Sequence, residues 1–166
     1  GYVKTSYDLL EMMVKAVSLN GNFVLNFGPD GKGNIRSEET KLAKEIGDWM
    51  KINKEAIYGT SHSTVQKQDW GYFTQKGNKL YMCVFNRPIN NLLKIEIPKG
   101  GIIPMKAYFL ENNQETEIQN AGKNKRNSSL YHVAVPASYK TDRPFVIVLE
   151  MQENTKEEGE YQQAKI

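Results

Sequence analysis

The hydrophobic period changes once along this chain, near residue 60, and that change limits the fold more than any other feature of the sequence. Before it, apolar residues recur three and four apart; after it, they alternate. A helical texture followed by an alternating one predicts an α/β segment joined to an all-β segment.

The first 60 residues predict helix, strand, helix. Thr5 or Ser6 caps the first helix, and Asp8 lies in its first turn, where the positive end of the helix dipole favours a carboxylate. Leu9, Leu10, Met13, Val14 and Val17 make its apolar face. Asn20-Gly21-Asn22 ends it, because Asn and Gly accept the left-handed conformation. Phe23-Val24-Leu25-Asn26-Phe27 has the continuous apolar character of a buried parallel strand. The loop Gly28-Pro29-Asp30-Gly31-Lys32-Gly33-Asn34 follows it. Ser37 caps a second helix, with Glu38 and Glu39 in its first turn and Leu42, Ile46, Trp49 and Met50 on one face. Helix, buried strand, helix is the repeating unit of an α/β barrel or doubly wound sheet. A single strand cannot make such a sheet, since both of its edges need hydrogen-bonding partners. Strand 23–27 is therefore expected to lie against a strand of the later sheet or of a second copy.

From residue 69 the period is two. Trp70–Gln75 and Lys79–Phe85 predict a hairpin around Gly77-Asn78. Leu92–Ile97, Ile102–Leu110, Thr116–Gln119, Leu130–Val135 and Pro144–Met151 supply further short strands, the pattern of an antiparallel β-sandwich. One member of each alternating set, Leu93/Ile95/Ile97 and Tyr81/Cys83/Phe85, is expected to face the shared core, with Lys94 and Glu96 in solvent. Residues 152–166 are charged and show no apolar pattern, as a frayed tail would.

Composition excludes several classes of function. Twenty-two basic against 19 acidic residues leave a net charge of +3, too balanced to argue for nucleic acid. No apolar run approaches the roughly 20 residues of a membrane-spanning helix. One cysteine cannot form an internal disulfide. One cysteine and two histidines are too few for a zinc cluster or a self-contained His-based triad, so neither metal nor cofactor is expected. The chain opens on Gly1, as a processed, tagged or excised chain does.

The candidate motifs are weak one by one. Gly31-Lys32 is followed by Gly33, so the hydroxyl of a phosphate-binding loop is missing, and the dinucleotide glycine spacing fails too. Asp30 is the one carboxylate well placed beside the apolar strand, although an Asp before Gly is also ordinary turn chemistry. His62 lies in the expected linker and His132 in an alternating strand, both in surface-type settings. Cys83 sits between Met82 and Val84 as a small apolar residue. Asn127-Ser128-Ser129 matches a glycosylation acceptor, a pattern common by chance. Lys123, Lys125 and Arg126 have no aromatic repeat beside them for stacking on nucleic-acid bases. Trp70, Tyr72, Tyr108 and Tyr131 fit either a sugar platform or the inter-sheet core, and alternation favours the core.

Taken together, one ordered set of motifs carries more. Gly1-Tyr2, Asn20-Gly21-Asn22, Leu25-Asn26-Phe27-Gly28-Pro29 and Gly33-Asn34-Ile35 come first. Trp49-Met50-Lys51-Ile52-Asn53-Lys54-Glu55-Ala56-Ile57-Tyr58-Gly59-Thr60 completes the set. This series resembles the end of the catalytic domain in α-L-fucosidases of glycoside hydrolase family 29. Two positions depart from the family pattern: Lys32, where Asp is common, and Lys54, where Gly is common. The resemblance implies an α/β remnant, the last strand and helices of a (β/α)8 barrel, followed by an all-β antiparallel sandwich. It implies residues 1–60 as the end of the barrel, 61–68 as linker, 69–152 as sandwich and 153–166 as tail. It further implies a retaining hydrolase acting on fucosylated glycans through a parent enzyme that is secreted, periplasmic or lysosomal. In the family, the nucleophile and the acid/base carboxylate lie upstream of the matched segment, so no catalytic residue is expected in this chain. Asn26, Phe27, Gly28, Pro29 and Asp30 are the residues expected at the pocket edge, because barrel enzymes place their sites at the carboxyl ends of the strands. The expected partners are the missing barrel portion and a second copy of the chain. A non-catalytic carbohydrate-binding module and a plain structural domain remain the alternatives.

Overall fold

In the computed structural model, residues 5–21, 37–100 and 102–153 are described. The first helix, α1 (Ser6–Ser18), begins with a reciprocal capping box. The Thr5 hydroxyl accepts from the Asp8 N–H at 3.1 Å, and the Asp8 carboxylate accepts from the Thr5 N–H at 3.2 Å. Leu10 and Val14 are its buried residues, and Asn20 ends it at φ 62°. The second helix, α2 (Ser37–Asn53), buries Ile46 and Trp49. Ser37, expected as its cap, is already helical. At Lys54, where a glycine would stop the helix, the chain tightens into a 3-10 turn over Lys54–Ala56 and leaves through Gly59 at φ 73°. No described helix is long and apolar enough to cross a membrane.

Among the described residues, nine strands follow: β1 (Ser61–His62), β2 (Gly71–Lys76), β3 (Lys79–Val84), β4 (Leu92–Ile97), β5 (Ile102–Phe109), β6 (Glu115–Thr116), β7 (Ile118–Lys123), β8 (Ser129–Ala134) and β9 (Phe145–Glu153). They pair antiparallel into two sheets, ordered β1-β2-β3-β9-β5-β6 and β4-β8-β7. The expected linker thus opens with a strand, since Ser61 and His62 pair with Gln75 and Thr74 at the edge of the larger sheet. The predicted hairpin forms with Gly77 at φ 59°, the geometry of a turn with glycine at its first central position.

The expected strand Thr116–Gln119 is two strands in two sheets. Thr116 pairs with Ala107 in the larger sheet, and Ile118 pairs with Val133 in the smaller. A short, polar run with one clear apolar position does not fix which sheet it joins, and sandwiches turn their corners at such places. The open half of β5 carries Pro104 and a bulge before Lys106, two devices that discourage further pairing at an edge.

Leu93, Ile95 and Ile97 face the inter-sheet core as expected, while Lys94 is exposed and Glu96 half-buried. The set Tyr81, Cys83 and Phe85 does not. It points to the opposite face of its sheet, and Leu80, Met82 and Val84 occupy the shared core instead. The reason is a third layer: α1 and α2 pack on the outer face of the larger sheet and bury Tyr72, Tyr81, Cys83, Phe85, Val146 and Val148. β3 is therefore apolar on both faces, and its alternation could not tell inside from outside. Trp70 links the two sheets by donating its indole N–H to the Lys94 carbonyl at 2.8 Å. Beside it, a Cβ on Gly71 would stand 1.9 Å from the Cys83 carbonyl oxygen, so only glycine lets the two strands meet there.

Candidate functional site

The pocket-edge candidates Asn26, Phe27, Gly28, Pro29 and Asp30, the strand 23–27 that would carry them, and Lys32 all lie outside the described residues. What the structure does describe is the frame on either side of that segment: α1, ending at Asn20-Gly21, and α2, beginning at Ser37.

Side-chain hydrogen bonds fasten this frame to the sheet. The Trp49 indole N–H donates to the Pro144 carbonyl at 2.8 Å, a buried bond. The Tyr81 hydroxyl donates to the Glu55 carboxylate at 2.6 Å, and the Tyr72 hydroxyl to Glu11 at 3.1 Å. The Thr74 hydroxyl donates to the Ala56 carbonyl at 2.6 Å, and the Tyr7 hydroxyl to the Phe85 carbonyl. Burial raises the Tyr72 phenol to about 12, with its bond to the Glu11 carboxylate adding to the effect. Tyr81 is raised by burial and by Glu55. Both phenols therefore stay protonated donors at neutral pH. Glu11 and Glu55 did not stand out as functional in the sequence. The available signal was the placement of each one helical position beside a buried apolar residue, Leu10 and Ala56 respectively.

Away from the sheet, the two helices leave a groove of about 490 Å³. Met13 and Val17 line one wall, Ile46 and Met50 the other, and Ile57 and Tyr58 the end. Asn20 and Gly21 sit at its margin. Tyr58 is 65% exposed there.

The other candidates carry no chemistry. Burial pushes the Cys83 thiol up to about 12, which suppresses the thiolate a nucleophile needs. His62 is exposed on β1, and His132 pairs with Lys94 across the smaller sheet. Trp70 and Tyr72 are buried and Tyr131 packs against the inter-sheet core, so none of the three forms an open platform. Tyr108 is half-buried, its hydroxyl on Glu150 at 3.3 Å and the Lys106 ammonium 5.5 Å from its ring centre. Lys123, Lys125 and Arg126 are exposed around a turn that the Asn124 side chain organises by accepting from the N–H groups of Arg126 and Ser128. Asn127 of the acceptor pattern is exposed in that turn at φ 61°. Among the described residues, no group of three or more His, Cys, Asp or Glu side chains could hold a metal ion.

The helical frame and the sandwich both have counterparts in known proteins. A family model described as alpha-L-fucosidase matches residues 1–55. An alpha-L-fucosidase of Dictyostelium discoideum is 36% identical over 98 residues, covering 57% of this chain and 21% of the relative. The tissue alpha-L-fucosidase of Homo sapiens is 33% identical over 96 residues, covering 55% of this chain and 20% of the relative. Among solved structures, a GH29 alpha-L-fucosidase from Bacteroides thetaiotaomicron superposes with a TM-score of 0.82 at 38% identity, covering 92% of this chain and 33% of that one. A GH29 alpha-L-fucosidase from Bacteroides thetaiotaomicron trapped as a covalent intermediate with 2-fluoro-fucosyl fluoride superposes with a TM-score of 0.81 at 38% identity. The chain thus spans about a fifth of the length of these curated relatives and a third of that structure.

Proposed function

We propose, from the premise that this chain is the carboxyl-terminal portion of a glycoside hydrolase family 29 α-L-fucosidase, that it completes a retaining exo-acting enzyme that removes α-L-fucosyl groups from glycans. The observation that carries this reading is the superposition of 92% of the chain, helices and sandwich together, on a fucosidase at 38% identity. In the proposed role, α1 and α2 are the last helices of the catalytic barrel. The groove between them seats the upstream barrel portion, and its lining of Met13, Val17, Ile46 and Met50 suits an apolar neighbour. Asn26, Phe27, Gly28, Pro29 and Asp30 are the proposed pocket-edge residues, as barrel enzymes place their sites at the carboxyl ends of the strands.

The chemistry of such an enzyme needs two carboxyl groups about 5 Å apart. One attacks the anomeric carbon as the glycosidic C–O bond breaks, while the other gives its proton to the departing oxygen. Water then displaces the enzyme carboxylate, losing a proton to the second group. Covalent trapping of the related enzyme supports this retaining route. Both carboxylates belong to the upstream portion. This chain contributes the frame, the pocket edge and the sandwich on which the frame is mounted. The compartment proposed with it is the family's: secreted, periplasmic or lysosomal. A free-standing carbohydrate-binding module with residues 1–60 as its helical collar is not favoured, because residues 1–55 match the alpha-L-fucosidase family model.

The isolated chain should release no nitrophenol from nitrophenyl α-L-fucoside above a buffer blank. Adding the upstream portion of a parent enzyme should restore turnover. Release by the chain alone that disappears in Asp30→Asn would overturn the reading.

A further inference from the structure

The two sheets do not seal against each other at every end. Where the β2–β3 turn, the segment after β4 and the end of β9 converge, the inter-sheet core opens into a cleft of about 390 Å³. That is within the roughly 300–1,000 Å³ of small-molecule sites. Its floor is aliphatic: Leu80, Ile97 and Met151 line it where it meets the inter-sheet core. Its rim is polar: Thr64, Gln75 and Gln152 stand around the mouth. Lys99 and Glu153 add one charge of each sign, so the mouth has no net charge. The Met151 N–H donates to the Asn78 carbonyl at 2.8 Å, which pins the turn to β9 and holds the cleft's shape.

An aliphatic floor selects a ligand with an apolar face. Primary amides and a hydroxyl around it select neutral groups that both donate and accept hydrogen bonds. The absence of net charge disfavours phosphates, carboxylates and ammonium ions. A pyranose ring meets all three conditions, with its C–H face against the floor and its hydroxyls toward the amides. We infer that this cleft is a saccharide subsite which takes one neutral sugar residue, a deoxysugar methyl fitting the floor best. No aromatic ring lines it, so stacking contributes nothing and binding is weak, in the millimolar range. The subsite stands on the cleft's own chemistry and does not depend on the chain's place in a fucosidase.

The test is an amide and methyl NMR titration of the chain with methyl α-L-fucoside and, in parallel, with cyclohexanol. Saturable shifts at Leu80, Ile97 and Met151 with the fucoside are expected. Gln152 and Thr64 are exposed, so substitutions there leave the core intact. Gln152→Ala should weaken the fucoside about threefold to tenfold, the loss of one hydrogen bond. Thr64→Trp should fill the mouth and abolish the shifts. Where Thr64→Trp loses its dispersed spectrum, Gln152→Ala alone decides. Absent shifts at the limit of sugar solubility, or shifts unchanged in Gln152→Ala, would overturn the subsite. So would cyclohexanol binding where the fucoside does not, which would make the cleft a plain apolar hole.

Discussion

The two sheets of the sandwich share one core and yet live in different surroundings. The sheet β4-β8-β7 has a single buried face, and its β4 shows it plainly: Leu93, Ile95 and Ile97 inside, with exposed Lys94 and half-buried Glu96 between them. The sheet β1-β2-β3-β9-β5-β6 has two, because α1 and α2 cover its other side. Its central strands carry unbroken buried runs, Leu80–Val84 in β3 and Phe145–Leu149 in β9. The difference teaches that the helical layer belongs to the sandwich as much as to whatever precedes it. A sheet with a run such as Leu80–Phe85 could not stand in water with its outer face bare.

The sharpest way to break this comparison is to pull the helices off. Trp49 is 2% exposed and holds the Pro144 carbonyl, so Trp49→Ala should cost about 3–5 kcal/mol. Urea unfolding followed by circular dichroism reads the loss. A cost under about 1 kcal/mol would mean that the helices merely rest on the sheet.

A smaller effect sharpens the same point. Tyr81→Phe removes the donor to Glu55 and should cost about 1–2 kcal/mol by the same measurement, since Lys79 at 3.7 Å still faces that carboxylate. The companion phenol adds a dependence on pH. The Tyr72 phenol titrates near 10 in the unfolded chain and at about 12 in the folded one. Its contribution to stability is whole below pH 10 and fades as pH rises toward 12. Phenolate absorbance and helical dichroism should therefore change together in that window. Loss of helix well below pH 10 would point to some other anchor. At the bottom of the scale, Lys94→Thr on the exposed face of the smaller sheet should stay within about 0.5 kcal/mol of the parent.

The same contrast decides what the sequence could disclose. The one-sided strand β4 was legible residue by residue, because burial on one face writes period two directly into the chain. The hairpin was legible through Gly77, and the end of α1 through Asn20, since positive φ narrows the choice of residue. The assignment of Tyr81, Cys83 and Phe85 to the wrong layer was not avoidable from pattern alone, as both faces of β3 are apolar. Thr116–Gln119 hid a change of sheet because the run is too short and polar to declare a side. Of the site, the ordered motifs from Gly1 to Thr60 pointed to a family, while the ties of Glu11 and Glu55 to the sheet depend on contacts 61 and 26 residues apart in sequence. No local pattern encodes such pairs.

The place of β9 has a consequence for how the protein is made. It lies between β3 and β5 in the larger sheet, yet it follows both of them in the chain. During synthesis at about 5–20 residues per second, β3 and β5 leave the ribosome on the order of seconds before the strand that joins them. Throughout that wait, the edges they reserve for β9 have no native partner, and the aliphatic side chains that meet Ile147 and Leu149 stay wet. A nascent chain stalled before Phe145 would be a client for chaperones, and a gene truncated there would yield inclusion bodies rather than a smaller domain.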